Sequence, residues 1–321
     1  MLEVVDLFCG AGGMSLGLKQ SGLMIRAGID NSSDCISTYR RNHLSTAGVV
    51  ADLRSLKRND VAKHVTSADN LVLAGCPPCR LFSQLHRQHR PLGEEFGAYL
   101  RLLWSLRPSY VVFENVPRIV DRADAWDALN DRLQRLGYKT CFKVVAAQHF
   151  GVPQRRRRLV LIAARTPIFI PEPTAIKPKT VRDAIAHLPD TSLAIPNHVT
   201  MNLSKDNFIR IQNTDRDGGR SKTPKVPFDD SYGRMEWDRP SPTITTRCIS
   251  FSNGRFGHPQ YDRAITVREA ARLQGFPDEY VFDGGVKETA RQVGNAVPPP
   301  LAQWLGGLII SHWQSKGAAV P

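Results

Sequence analysis

The sequence predicts an α/β fold, a sheet of the nucleotide-binding kind followed by a small loop-rich region, on three observations. An apolar run, LEVVDLF at Leu2 to Phe8, passes directly into Cys9-Gly10-Ala11-Gly12-Gly13-Met14-Ser15-Leu16-Gly17. Strand, glycine-rich turn and helix in that order form the first unit of such a sheet. Later apolar runs alternate with helical patterns and end in residues that carry chemistry: Asp30, Cys79 and Glu114. Beyond about Arg165 the texture changes to prolines, Asp/Asn/Gly turns and basic residues, with few long apolar runs.

In the first unit the glycines let backbone approach a ligand closely, and the helix after them opens with free N–H groups. Gly10, Gly12 and Gly17 nearly match a dinucleotide fingerprint. That pattern alone is weak, and the nicotinamide-dependent oxidoreductase it suggests finds nothing downstream to fit it. A second strand, Met24 to Ile29, ends at Asp30, about 20 residues after the turn, where the ribose hydroxyls of a nucleoside are held. Asp30 serves equally as the cap of a helix begun by Asn31-Ser32-Ser33. Val49 to Leu53 is a third short strand and carries Asp52.

The strand beginning at Leu71 stops at Gly75-Cys76-Pro77-Pro78-Cys79. Two prolines fix their own φ and stiffen the turn, so Cys79 leaves the strand end in a set direction. A thiol so presented suits a nucleophile. Taken alone, it is as readily a small buried hydrophobe, and Cys76 with Cys79 is formally a redox pair. Phe96, Tyr99, Leu100, Leu103 and Leu106 recur at helical spacing and predict a helix that covers the sheet. Tyr110 to Phe113 is the next strand, ending in Glu114-Asn115-Val116-Pro117. A carboxylate and an amide there point to the sheet's ligand edge, or Glu114 is a satisfied cap. Ala123 to Leu136 reads as a helix and Thr140 to Ala146 as a strand.

Four arginines, Arg155 to Arg158, follow Gln154 and enter the strand Leu159 to Ala163. Alternation puts Arg156 and Arg158 on one face and Arg155 and Arg157 on the other. A solvated basic edge or a phosphate patch is the plainer reading. Farther on, Thr266 to Leu273 is a helix capped by Thr266 with Glu269 at the capping-box position. The stretch Gln292 to Pro298 precedes a last helix, Leu301 to Trp313, whose apolar face packs back on the sheet. Three parts result: 1–164 as an α/β domain, 165–265 as a loop-rich region, and 266–321 as a C-terminal segment.

Composition narrows the partners. The 321 residues are 41% hydrophobic, enough for a sizeable core, and carry a net charge of +13 with a pI near 9.7. So basic a chain suggests a polyanion. No run approaches the ~20 apolar residues of a membrane span, and no signal-peptide pattern opens the chain. Six scattered cysteines without metal-finger spacing suggest reduced thiols in the cytoplasm, and no metal.

Six stretches together resemble the cytosine-C5 DNA methyltransferase family, in family order: DLFCGAGG from Asp6, GCPPC ending at Cys79, FENV around Glu114, QRRRR from Gln154, REAARLQGFP from Arg268 and QVGNAVPP from Gln292. The resemblance spans essentially the whole chain except Arg165 to Trp237. It implies a Rossmann-like, S-adenosyl-L-methionine-dependent methyltransferase sheet with a small target-recognition domain. It also implies double-stranded DNA as substrate, and the compact bacterial or phage type of enzyme, in the bacterial cytosol or nucleoid. A cognate restriction endonuclease or defence-system subunits are the implied partners.

The implied chemistry explains the residue types. C5 of cytosine is a poor nucleophile until a thiolate adds to C6, and Cys79 matches the family's nucleophile. Charge then accumulates at N3, where Glu114 matches the residue that holds or shares a proton. Arg156 and Arg158 match the paired arginines near the base, and Asn115 orients the pocket. The base must be flipped from the duplex to be reached. For the cofactor, the resemblance implies Asp6, Phe8, Gly10, Gly12, Gly13, Asp30, Asp52, Pro78 and Asn295. For DNA it implies Arg80, Ser83, Gln154 and Arg247, with Arg210, Arg216, Arg220 and Lys222 as base readers or phosphate contacts. One departure is Arg80, where the family usually has Gln. A tRNA cytosine-C5 methyltransferase and a catalytically silent DNA-binding relative are the alternatives.

Overall fold

The computed structural model describes residues 1–78, 93–174, 176–221 and 231–317. Its strands in chain order are β1 (Glu3–Leu7), β2 (Met24–Asp30), β3 (Ala47–Val50), β4 (Leu71–Gly75), β5 (Tyr110–Asn115), β6 (Lys139–Ala146) and β7 (Arg157–Ala164). Its helices are α1 (Gly13–Gln20), α2 (Ser33–Asn42), α3 (Arg58–Ala62), α4 (Glu94–Leu106), α5 (Ala123–Arg135), α6 (Val181–Ile185), α7 (Lys205–Gln212), α8 (Val267–Leu273), α9 (Val286–Asn295) and α10 (Pro299–Gly317). The chain divides into two compact units. One comprises Met1–Ala146, Arg157–Thr174 and Pro299–Pro321, and the other Ala147–Arg156 and Ala175–Pro298.

The first unit holds all seven described strands in one mixed sheet, ordered β3-β2-β1-β4-β5-β7-β6. β1 to β5 run parallel, and β7 is antiparallel to both β5 and β6. The α/β expectation therefore holds, with an antiparallel pair added at one edge. The central strands β1, β4 and β5 are buried along their whole length, as their near-continuous apolar sequences require. β1 connects outward to β2 on one side while β4 and β5 lie on the other. The carboxyl ends of β1 and β4 thus form the switch point where α/β sheets leave a ligand crevice.

The third strand runs over Ala47–Val50 rather than Val49 to Leu53. Asp52 explains the early stop: its carbonyl accepts the Ser55 N–H at 3.0 Å and its carboxylate the Arg54 N–H at 2.9 Å. This is the local side-chain competition that ends a ladder. Helix α4 covers the sheet as its spacing predicts, burying Phe96, Tyr99, Leu103 and Leu106. A side chain at Gly75 would meet the Tyr99 ring at 2.6 Å, so only glycine allows the helix this close to the strand end. Gly17 is similarly fixed by the last helix: a Cβ there would stand 2.1 Å from the Pro299 carbonyl oxygen. Ser32, not Asp30, caps α2, its Oγ accepting the Cys35 N–H at 3.3 Å.

The second unit is built differently. Its described helices α6 to α9 are joined by long irregular stretches whose carbonyls need partners from outside a ladder. Buried arginines supply them. Arg234, 1% exposed, donates to the carbonyls of Thr214 (3.1 Å), His258 (2.9 Å), Tyr261 (2.6 Å) and Ile211 (2.7 Å). Arg268, fully buried, donates to those of Pro196, Pro277 and Tyr280. Helix α8 carries the predicted capping box: Thr266 Oγ1 accepts the Glu269 N–H at 3.1 Å, and Glu269 Oε2 accepts the Thr266 N–H at 2.7 Å. Arg263 pairs with the buried Glu269 at 2.8 Å and with Asp190 at 2.6 Å.

Candidate active site

Four strand ends of the first unit bring chemistry to one edge of the sheet. After β1 the chain turns sharply: Phe8 has φ +59°, Gly10 +52° and Gly12 +94°. A positive φ suits glycine and strains phenylalanine, so Phe8 is held there by its packing against the core. Among the described residues, nothing lies within 4 Å of where a Cβ of Gly10 would stand. Asp30, at the end of β2, closes the turn: Oδ2 accepts the Gly10 N–H and Oδ1 the Ser32 N–H, each at 2.9 Å.

Beneath the turn runs a buried relay that the sequence did not signal. Tyr39 donates to Ser15 Oγ at 3.0 Å, and Ser15 to Asp6 Oδ2 at 2.7 Å. Asp6 is fully buried, and among the described residues its Oδ1 has no hydrogen-bond partner. Burial, reinforced by the nearby Asp30 charge, pushes the Asp6 carboxyl up to about 7. Asp52 lies past β3 with both carboxylate oxygens on Arg54, at 2.6 to 3.0 Å, and that bonding lowers its pKa. An open glycine turn ringed by Asp6 and Asp30, with one orphaned buried carboxylate oxygen, fits a nucleoside that carries hydroxyls and positive charge.

The ends of β4 and β5 and the start of β7 make the second cluster. Glu114 and Asn115 are 2% and 1% exposed. The Asn115 amide donates to the Pro77 carbonyl at 3.0 Å, while its Oδ1 accepts the Val116 N–H at 2.9 Å, so this residue braces the Pro-Pro turn. Arg158 Nε lies 2.9 Å from Glu114 Oε1 as an ion pair that lacks hydrogen-bond alignment; among the described residues, Oε1 accepts no hydrogen bond. The Cys76 thiol donates to Glu114 Oε2 at 2.8 Å. Antiparallel pairing of β7 with β5 is what carries Arg158 to the glutamate.

The four arginines alternate as their spacing predicts, with Arg155 and Arg157 exposed, yet the inward pair serves two ends. Arg156 belongs to the second unit, where it is buried and donates to the carbonyls of Ile244 (3.0 Å), Gly294 (3.2 Å) and Ala296 (3.2 Å). Gln154, expected at the DNA, is fully buried: its amide donates to the Leu273 carbonyl and Gln274 Oε1 and accepts the Ile244 N–H. Such a residue braces the fold. Asn295 is exposed at the end of α9, Pro78 is exposed and Gly13 opens α1.

Of the basic residues read as DNA contacts, Arg216 is engaged with Asp262 at 2.6 Å. Arg210 lies over the Tyr232 ring, 4.7 Å from its centroid, and that ring is braced edge-to-face on the buried Phe251. Arg220 and Arg247 are exposed. Cys79, Arg80, Ser83 and Lys222 lie outside the described residues. Cys9, Cys35, Cys76, Cys141 and Cys248 form no disulfide among the described residues. Among the described residues, no helix is long and apolar enough to cross a membrane.

A family model described as C-5 cytosine-specific DNA methylase matches residues 2–311. The Type II methylase M.HgiDII of Herpetosiphon aurantiacus is 36% identical, over 94% of this chain and 92% of its own. The Type II methyltransferase M1.HphI of Haemophilus parahaemolyticus is 33% identical, over 96% and 87%. In fold, the chain resembles a prophage-encoded protein of E. coli, with TM-score 0.78 and 24% identity over 98% of this chain and all of that one. It also resembles the S. pombe Dnmt2 methyltransferase, with TM-score 0.71 and 18% identity over 97% and 99%.

Proposed function

Since the chain belongs to the C-5 cytosine-specific DNA methylase family and is a DNA cytosine-5-methyltransferase, we propose that it methylates a flipped-out cytosine of double-stranded DNA through a covalent bond from Cys79 to C6. The observation that carries this reading is Glu114: a buried carboxyl at the sheet's ligand edge, with an oxygen that accepts no hydrogen bond and an arginine beside it. A base nitrogen is the partner such an oxygen lacks.

The Cys79 thiolate adds to C6, and the electrons pushed into the ring collect at N3. Glu114 Oε1 meets that nitrogen and holds or shares the proton that neutralises it. Arg158, paired with the same carboxyl, draws charge from the ring. Asn115 fixes Pro77, and with it the turn from which Cys79 departs. Arg156 holds the loops around Ile244 and Gly294. Once C5 carries the methyl group and loses its proton, the Cys79–C6 bond breaks.

S-adenosyl-L-methionine, the cofactor we propose, supplies an electrophilic methyl group on a sulfonium when bound. Asp30 takes the ribose hydroxyls, Phe8, Gly10, Gly12 and Gly13 line the nucleoside, and the Asp6 carboxylate meets positive charge. Asp52 reaches the adenine amino group only by sharing an oxygen with Arg54, and Asn295 and Pro78 complete the methionine end. By function, cofactor and chemistry belong to 1–164, target recognition to 165–265 and a returning segment to 266–321. Arg210, Arg220 and Arg247, with Arg80, Ser83 and Lys222, contact the DNA. A Type II restriction-modification system, with a cognate endonuclease, is the setting that the names of the relatives support.

Covalent trapping tests the reading. On DNA containing 5-fluorocytosine, where C5 has no proton to lose, wild-type protein and cofactor form a stable adduct. Cys79→Ser forms none and loses methyl transfer by about a thousandfold or more. An adduct that survives the substitution removes Cys79 from the mechanism.

A further inference from the structure

Two side chains from different strand ends hold Glu114: Arg158 at Oε1, and the Cys76 thiol at Oε2, 2.8 Å away. Only the thiol is aligned as a hydrogen bond. We propose that Cys76 is a positioning residue, whose S–H fixes Oε2 as the accepting oxygen so that Oε1 is the atom presented to cytosine N3. The inference rests on the reading above, in which Glu114 meets that nitrogen.

The chemistry follows from what each group can do. A glutamate carboxyl turns about its last bond with a broad, two-fold preference, so two equivalent oxygens exchange places unless a partner tells them apart. A thiol has one hydrogen to donate and is a weak acceptor, so beside a carboxyl it donates. The oxygen that accepts the thiol hydrogen is not the one that carries the acid's own proton. The proton Glu114 shares with N3 is thereby assigned to Oε1, which accepts no other hydrogen bond.

Cys76 is well placed to hold that assignment. Its backbone N–H donates to the Leu7 carbonyl at 3.4 Å, which ties it to β1. It immediately precedes Pro77, whose carbonyl the Asn115 amide holds. The thiol therefore starts from backbone fixed on both sides, and the C-x-x-C spacing reads as one positioning thiol followed by one nucleophilic thiol.

The test uses the full chain under reducing conditions, with labelled S-adenosyl-L-methionine and duplex DNA. Cys76→Ala and Cys76→Val both remove the donor, and valine fills the space that alanine leaves. Each should lower kcat about tenfold while KM for DNA and for the cofactor stays within about twofold. Cys76→Ser keeps a donor and should recover most of the loss. A kcat unchanged in both apolar variants, a serine variant as slow as alanine, or a loss that falls on KM overturns the proposal. A second measurement does not depend on how those variants fold. Glu114→Gln removes the carboxylate that holds the thiol hydrogen, so alkylation of Cys76 by iodoacetamide at pH 8, read by peptide mass spectrometry, should quicken several-fold. An unchanged alkylation rate also overturns it. Wild-type protein that transfers no methyl group, or a fully active Cys79→Ser, would sink the underlying reading instead.

Discussion

In the first unit, buried polar side chains stand at or near strand ends, and among the described residues Asp6 Oδ1 and Glu114 Oε1 accept no hydrogen bond, although Arg158 lies beside the latter. In the second unit, Arg234, Arg268 and Gln274 are buried as deeply, yet they spend their donors on backbone carbonyls. The difference comes from the ladders. A seven-stranded sheet satisfies its own backbone, so polar side chains at its edge are left for a ligand. A unit with no described strand must satisfy its irregular backbone with side chains, and an arginine, with five donors in a fork, serves several carbonyls at once. Burial of a charged residue therefore has different causes at Glu114, which stands at a strand end, and at Arg234, which holds irregular backbone.

The contrast breaks most readily at Arg234 and Asp30. Arg234→Ala strands several buried carbonyls and should cost about 4 kcal/mol in urea denaturation. Asp30→Ala should cost about 1 kcal/mol of stability but weaken S-adenosyl-L-methionine binding, by calorimetry, about tenfold or more. Equal stability losses in the two variants would erase the distinction.

Acid and base behaviour sharpen it. Burial holds the Asp6 carboxyl at about 7 in the fold, against about 3.9 in the unfolded chain. Between those values the folded state binds more protons, so this group lowers stability as pH rises from about 4 to 7, by a few kcal/mol at most. Asp6→Asn should remove that decline. His258 titrates the other way. Burial and the charges of Arg263 and Arg234 hold it down to about 2, so between about 2 and 6.5 the unfolded state binds the proton. Stability from this group falls as pH drops below about 6.5, and His258→Asn should flatten the acid side. Denaturation curves of both variants at pH 5 and 8 would show the two slopes, and matching slopes would count against the difference in environment.

The smallest effect concerns α8. Thr266 caps that helix and also bonds His198 Nδ1 at 2.9 Å, so Thr266→Ala should cost about 1 to 2 kcal/mol. Thr180 caps the exposed α6 by the same box, and Thr180→Ala should cost about 0.5 kcal/mol. Equal costs would mean that burial adds nothing to the cap.

Several features were open to reading along the chain because their causes are local. Apolar runs with abrupt stops mark β1, β4 and β5 and put Asp6, Cys76 and Glu114 at their ends. A Thr followed three residues later by Glu marks the start of α8. Charge alternation told which arginines turn inward, and the order of six motifs named the family. Partner identity was not local. Nothing in QRRRR says that Arg156 meets three carbonyls while Arg158 meets a glutamate, since those partners lie more than 40 residues away. Nor does GCPPC reveal that its first thiol bonds a carboxyl 38 residues on. Sequence by itself determined where β1, β4 and β5 stop and which of the four arginines turn inward, through steric and hydrophobic preferences acting over a few residues. Only the tertiary structure decided what each buried donor faces, because hydrogen bonds are made across strands and loops that the fold alone brings within 3 Å.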